Sequence, residues 1–184
     1  MILHEDIVQN TPQWHKVRLG IPTASAFDQL ITPVEGKPSA SAALYENRLV
    51  AESITGDPID DFGGTAWTER GHELEPEAVT YYELIKEMDV KHGAFATNDE
   101  ATYGASPDCF AGEEGLLEIK CLAPHTHVGI LLNPKADRKH YPQLQGQLLV
   151  TGRAWVDILF YHPKAAAFIS SVIFILYHPL RTSF

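Results

Sequence analysis

The sequence predicts an α/β protein of the α+β kind, with a sheet of at least four strands and helices packed on one side of it. Three observations lead there. Residues 65–88 repeat at steps of three and four, through Trp67, His72, Glu75, Ala78, Val79, Tyr82 and Ile85, which is a helix period. Residues 106–121 read as two short strands joined by a Gly/Glu turn. Residues 154–162, Ala-Trp-Val-Asp-Ile-Leu-Phe-Tyr-His, are dense in β formers.

The length of 184 residues predicts a single domain spanning the whole chain, large enough for a core, with residues 164–184 as an atypical tail. Hydrophobic residues make up 45% and charged residues 21%, ordinary for a globular protein. A formal net charge of −10 weighs against broad nucleic-acid binding and would confine any DNA contact to a small area. The two cysteines, Cys109 and Cys121, form no CxxC and read as free thiols, so a zinc or iron–sulfur centre is not expected. The opening Met1-Ile2-Leu3-His4-Glu5-Asp6 has neither a basic nor an apolar leader region, so a cytoplasmic location without membrane attachment is expected.

In chain order, Thr11 and Pro12 start a first helix that places Trp14, Val17 and Arg18 on one side and ends at Gly20. Thr23 is expected to cap a second helix through Ala24, Ser25, Phe27 and Leu30. A helix N-terminus attracts anions, so Arg18 and Ser25 could hold a phosphate; spacing alone favours the plainer role of helix-end solvation and capping. A loop over 32–38 leads to a helix over 39–55, closed by Gly56, with Leu44, Tyr45, Leu49 and Ile54 as its buried residues. Residues 56–64 form an acidic loop. In the helix over 65–88, Pro76 is expected to introduce a kink or a restart. Glu75 lies among that helix's apolar positions and needs a partner, either a metal or a basic side chain.

Short strands over 91–97 and 101–106 lead into the hairpin. On its second strand Glu118 and Lys120 share one face, and Leu117, Ile119 and Cys121 take the other. A loop of odd length, 113–115 or 111–115, brings Asp108 onto the face of Glu118 and Lys120; an even loop turns it away. Two carboxylates and an ammonium on one face suit a hard divalent cation and an activated water. Past the hairpin, Pro124 argues for a loop holding His125 and His127. Lys135, Arg138, Lys139 and His140 form the concentrated basic run, solvated or in contact with DNA. A helix over 141–151 sets Gln143 and Gln147 on one face, pointing into a cavity or to solvent, above Leu144, Leu148 and Leu149. The apolar stretch 165–177 is too short for a membrane helix and reads as a buried or aggregation-prone strand.

Four blocks resemble the bacteriophage lambda exonuclease family of YqaJ-type viral recombinases, within the PD-(D/E)xK nucleases. They are residues 11–25, Thr-Pro-Gln-Trp-His-Lys-Val-Arg-Leu-Gly-Ile-Pro-Thr-Ala-Ser; residues 70–78; Ser106-Pro107-Asp108 with Glu118-Ile119-Lys120-Cys121; and Gln143 to Gln147, in that order along the chain. The resemblance implies a restriction-endonuclease-like central mixed sheet flanked by helices. It implies that Asp108, Glu118 and the Ile119 carbonyl bind Mg²⁺, with Mn²⁺ as a substitute, and that Lys120 activates the attacking water. Glu75 and Gln143 become further active-site residues. Arg18, Ser25 and Ser106 become a pocket for a 5′-terminal phosphate, and Trp14, Arg138, Lys139 and Gln147 become DNA contacts.

The implied activity is 5′-to-3′ resection of linear duplex DNA, leaving a 3′ strand for recombination. A trimeric ring, a single-strand annealing partner and a phage or prophage origin in bacterial cytoplasm go with it. The alternatives are a structure- or site-specific endonuclease of the same superfamily, or an inactive relative that binds DNA ends. Two departures stand out: Cys109 replaces a usual glycine, and the tail matches neither the strand nor the helix with which the family continues.

Overall fold

Five strands form the central sheet in the order β2 (Val90–His92), β5 (Cys109–Ala111), β6 (Gly115–Lys120), β7 (Trp155–Phe160) and β8 (Phe168–Ile173). The computed structural model describes residues 1–33, 35–59 and 66–174. β6 and β7 run parallel and the other neighbours antiparallel, so the sheet is mixed. A parallel pair needs a crossover. Here it is made by α5 (Pro124–Leu132), a 3₁₀ turn (Pro134–His140) and α6 (Tyr141–Thr151). Beside this sheet stands a smaller antiparallel one, with β1 (Ile2–His4), β3 (Phe95–Thr97) and β4 (Gly104–Ala105) in that order.

Helices cover both faces, not one as the sequence suggested. Leu116, Val156, Ile158 and Phe160 pack with Ile130 of α5 and with Leu144 and Leu148 of α6. On the opposite face Cys109, Leu117, Ile119 and Leu159 pack against Ala78 and Tyr82 of α4 (Ala66–Lys86). The reason is visible in β6 and β7, where apolar residues occupy both alternating sets, as central parallel strands require. The one buried charge of β7, Asp157, accepts from the Tyr82 hydroxyl at 2.9 Å and pairs with Lys86 at 2.8 Å.

Several expected elements change. The strand over 91–97 is two strands in different sheets, parted at Gly93, where an added Cβ would come within 1.8 Å of the Pro107 carbonyl oxygen. Of 101–106 only Gly104 and Ala105 are strand. The helix over 39–55 is α3 (Ala42–Thr55), with Gly56 in the left-handed region at φ 73°. Tyr45 is buried, but Leu44 and Ile54 are exposed and Leu49 only half-buried, since no described residue packs over that side closely enough to bury them. α4 continues through Pro76 without restarting. Pro124 opens a helix instead of holding a loop, because proline at the first helical position lacks only an N–H that has no partner there anyway. His127 is consequently buried, with Nε2 2.8 Å from the Ala166 carbonyl. Leu149 is exposed.

The tail continues the sheet as far as it is described: β8 pairs antiparallel with β7, so the apolar stretch is a strand in register. The acidic loop over 56–64 in part, and the tail past 174 wholly, lie outside the described residues. No helix among the described residues is long and apolar enough to cross a membrane.

Candidate active site

The hairpin turns through three residues, Gly112 to Glu114, with Gly112 in the left-handed region at φ 54°. This is one of the odd lengths: it lies one position before the three-residue loop read from sequence, 113–115, and keeps the strand register of the five-residue one, 111–115. Cys109 faces Leu117, so one step further Asp108 faces Glu118. The Ile119 N–H donates to Asp108 Oδ2 at 2.6 Å, which locks the carboxylate of the first strand to the backbone of the second.

Glu118 is the best-anchored group in the site, at 2% exposure. Its Oε1 accepts from Lys120 Nζ at 2.5 Å and from Gln143 Nε2 at 2.6 Å. Its Oε2 accepts from Gln147 Nε2 at 2.6 Å. The glutamine stripe therefore points inward, and the three donors compensate a charge that burial would otherwise make costly. Asp108 has less compensation. Burial and the adjacent Glu118 raise its carboxyl well above the usual carboxylate range, against the pull of Lys120 and the Ile119 N–H. For Lys120, burial favours the neutral amine, but Glu118 and Asp108 outweigh it and the ammonium is favoured.

These two carboxylates line a cavity of about 380 Å³ with His72, Glu75, Ile119 and Lys120. Glu75 Oε2 lies 3.7 Å from His72 Nδ1. Among the described residues, no three His, Cys, Asp or Glu side chains gather closely enough to hold a metal by themselves. Two carboxylates and a carbonyl nevertheless fit Mg²⁺, which keeps several waters and takes few protein ligands. Their mutual repulsion is what a divalent cation relieves.

The second cluster lies on the other side of Pro107. Ser106 Oγ accepts from Trp14 Nε1 at 3.0 Å and from Arg18 Nη1 at 3.1 Å. Arg18 Nη2 donates to Thr23 Oγ1 at 3.0 Å and Ser25 Oγ at 3.2 Å. The guanidinium stacks on Trp14, 3.9 Å from the ring centroid. Its hydrogen bonds to described residues all go to neutral hydroxyls. Burial draws Arg18 down to about 10, partly offset by Tyr45 and Glu52, so it is still cationic at neutral pH. A serine hydroxyl has two acceptor sites and one proton. Trp14 and Arg18 fill the acceptor sites of Ser106, leaving its proton for an anion.

The expected helix start at Thr23 is only a 3₁₀ turn, Ala24–Ala26, and a four-residue α2, Phe27–Leu30. Thr23 makes no cap bond. Its hydroxyl is a pocket residue that sequence reasoning took for a cap; its place two before Ser25 was the available signal. The first helix, α1 (Pro12–Val17), is capped by Thr11 as expected but ends before Arg18. Gln147, expected as a DNA contact, is 1% exposed and cannot touch DNA. Arg138 and Lys139 are exposed on the 3₁₀ turn. His140 is not a cation of that run: burial, with Lys120 and Lys139, pulls it down to about 3. His72, read only as part of a helix period, lines the carboxylate cavity.

The sequence model of a family described as YqaJ-like viral recombinase domain matches residues 13–154. The chain is similar to an alkaline exonuclease, LHK-Exo, from Laribacter hongkongensis, at 29% identity and a TM-score of 0.78 over 90% of this chain and 83% of that one. Against LHK-Exo in complex with dAMP the values are 30% and 0.79, with the same coverage. A phage related exonuclease from Haemophilus somnus 129PT, 14% identical, shares the fold at a TM-score of 0.65, over 84% of this chain and 85% of that one. No curated protein sequence matches.

Proposed function

The chain belongs to the family of YqaJ-like viral recombinase domains and is a DNA-hydrolysing enzyme, and we propose that it is an exonuclease that degrades linear duplex DNA from its 5′ ends. The observation that carries this reading is the double use of one short segment. Ser106 holds Arg18, and two residues later Asp108 faces Glu118. A site for an anionic end and a site for a divalent cation are thereby held on one stretch of backbone, which Gly93 braces through its N–H to the Asp108 carbonyl at 2.8 Å.

Asp108, Glu118 and the Ile119 carbonyl would hold Mg²⁺, or Mn²⁺ in its place. When bound, the cation supplies Lewis acidity toward the phosphodiester and lowers the pKa of an attacking water. Lys120, anchored on Glu118, orients and activates that water, and Gln143 fixes the carboxylate it shares with Lys120. Glu75 adds acidic charge at the cavity wall. Arg18, Ser25, Ser106 and Thr23 take the 5′-terminal phosphate. Breaking the P–O3′ bond leaves each new end with a 5′-phosphate, so every turnover regenerates the group the pocket binds.

Trp14, Arg138 and Lys139 are the proposed further DNA contacts. A trimeric ring in bacterial cytoplasm, passing a 3′ single strand to an annealing protein, completes the reading. Digestion of linear duplexes with 5′-phosphate or 5′-hydroxyl ends, with Mg²⁺ and with chelator, tests it. Mg²⁺-dependent loss of the phosphorylated duplex first is expected. Equal loss of both ends would refute the phosphate pocket, cutting of closed circles would point to the endonuclease, and binding without cleavage would point to an inactive relative.

A further inference from the structure

We infer that Gln147 is a positioning residue for the metal-holding carboxylate and acts through Glu118 Oε2, the oxygen with room left for a cation. The inference rests on the reading of Asp108 and Glu118 as metal ligands.

A carboxylate offers about four acceptor sites, two on each oxygen. Lys120 and Gln143 both donate to Oε1 and fill it. Among the described residues Gln147 alone donates to Oε2, at 2.6 Å, leaving one site there. The oxygen able to accept a cation is therefore the one that Gln147 holds. Gln143 and Gln147 stand four apart on α6, on one face of the helix, and bracket both oxygens, which fixes the plane of the carboxylate. α6 itself is held in place: a Cβ at Gly146 would come within 2.5 Å of the Phe27 ring and 3.0 Å of Ala24 Cβ.

A second observation separates this role from packing. Gln147 is 1% exposed, and its Oε1 has no hydrogen-bond partner among the described residues. Turning the amide over would set that oxygen against the carboxylate, so Nε2 is the donor. A buried carbonyl without a donor weakens a fold, and an apolar side chain of similar size would fill the same space without that cost. The residue is explained by what its N–H does for Glu118.

The test is Mn²⁺ binding to the full chain, followed by the electron paramagnetic resonance signal of free Mn²⁺, alongside thermal denaturation in chelator. Gln147→Leu and Gln147→Met are expected to fold, melting somewhat below the parent protein because Glu118 loses one of its three donors, and to bind Mn²⁺ about 10- to 100-fold more weakly, as loss of a group supporting a metal ligand does. Gln147→His keeps an N–H at similar reach and is expected to regain part of that affinity. Parent-like Mn²⁺ affinity in a folded Leu or Met variant overturns the inference, as does a His variant no better than Leu. Failure of both apolar variants to fold also overturns it, making Gln147 a structural residue. The underlying reading fails separately if the parent protein shows no saturable Mn²⁺ binding, or if Asp108→Asn leaves it unchanged.

Discussion

The two pockets on either side of Pro107 solve opposite electrostatic problems. On the Asp108 side, two carboxylates are crowded together, and one of them, Glu118, is held by three donors from β6 and α6. That arrangement is rigid before any ligand arrives, because each donor is itself set by helix or strand. On the Ser106 side, the hydrogen bonds of one guanidinium to described residues all go to hydroxyl oxygens. Hydroxyl protons rotate freely, so this pocket can turn its donors toward an incoming anion without moving its backbone. In a chain with a net charge of −10, Arg18 is a local cation held, among the described residues, on aromatic and hydroxyl neighbours, which is what the proposed anion site requires. The lesson is that ligand sign is set by the partners of a charge as much as by the charge.

The largest expected effect falls on the rigid side. Lys120→Ala should lower cleavage of a linear duplex by about 10²- to 10⁴-fold, the range for a positioned proton-transfer group, while DNA affinity by fluorescence anisotropy stays near that of the parent. An active Lys120→Ala enzyme would remove the difference between the pockets altogether. Next, Arg18→Ala should cut the preference for 5′-phosphate over 5′-hydroxyl ends by about 10- to 100-fold, the worth of a charged hydrogen bond, with residual cutting retained. Arg18→Lys should recover only part of it, because an ammonium cannot reproduce the guanidinium fork; full recovery would mean that charge alone suffices.

Gly146→Ala sharpens the comparison by disturbing both sides together. Its Cβ would push α6 from Ala24 and Phe27, close to Thr23 and Ser25, and loosen Gln143 and Gln147 over Glu118. A destabilisation of about 1–3 kcal/mol by urea unfolding is expected, with equal loss on both kinds of DNA end. A selective loss on one kind would show the pockets to be independent.

The smallest effect lies outside both. Tyr161 donates to Glu77 Oε1 at 2.7 Å, and that bond, with burial, pushes its phenol up to about 12. A raised folded pKa contributes stability that is whole below the unfolded value near 10 and lost as pH rises through about 12. Tyr161→Phe should flatten this part of the stability–pH curve and leave end preference unchanged.

Much of the site was legible because it is local. Glu118 and Lys120 share a face by strand alternation, Gln143 and Gln147 share one by helix period, and a loop of odd length brings Asp108 to the face of Glu118 and Lys120, the register then deciding that it stands opposite Glu118. The misread parts depend on what lies across space. Leu44 and Ile54 follow a helix period, yet no element among the described residues covers them. Pro124 is compatible with a loop and with a first helical turn, and only its packing chose the turn. Gln147 looked available to DNA because a sequence cannot say which side of a polar stripe meets a buried carboxylate.

By itself, then, the sequence determined the alternation, the helix periods and the chemical types that make a cation site and an anion site possible. These are properties of neighbours along the chain, governed by backbone geometry. The family resemblance implied that Arg18 and Ser106 share a pocket and that Gln143 joins the active site; residue spacing did not, and the tertiary structure decided that Arg18 reaches Ser106, that α6 lies over Glu118 and that Thr23 joins the pocket. Each of those contacts joins residues whose sequence spacing carries no geometric constraint, or replaces a local bond with a better one offered by the fold.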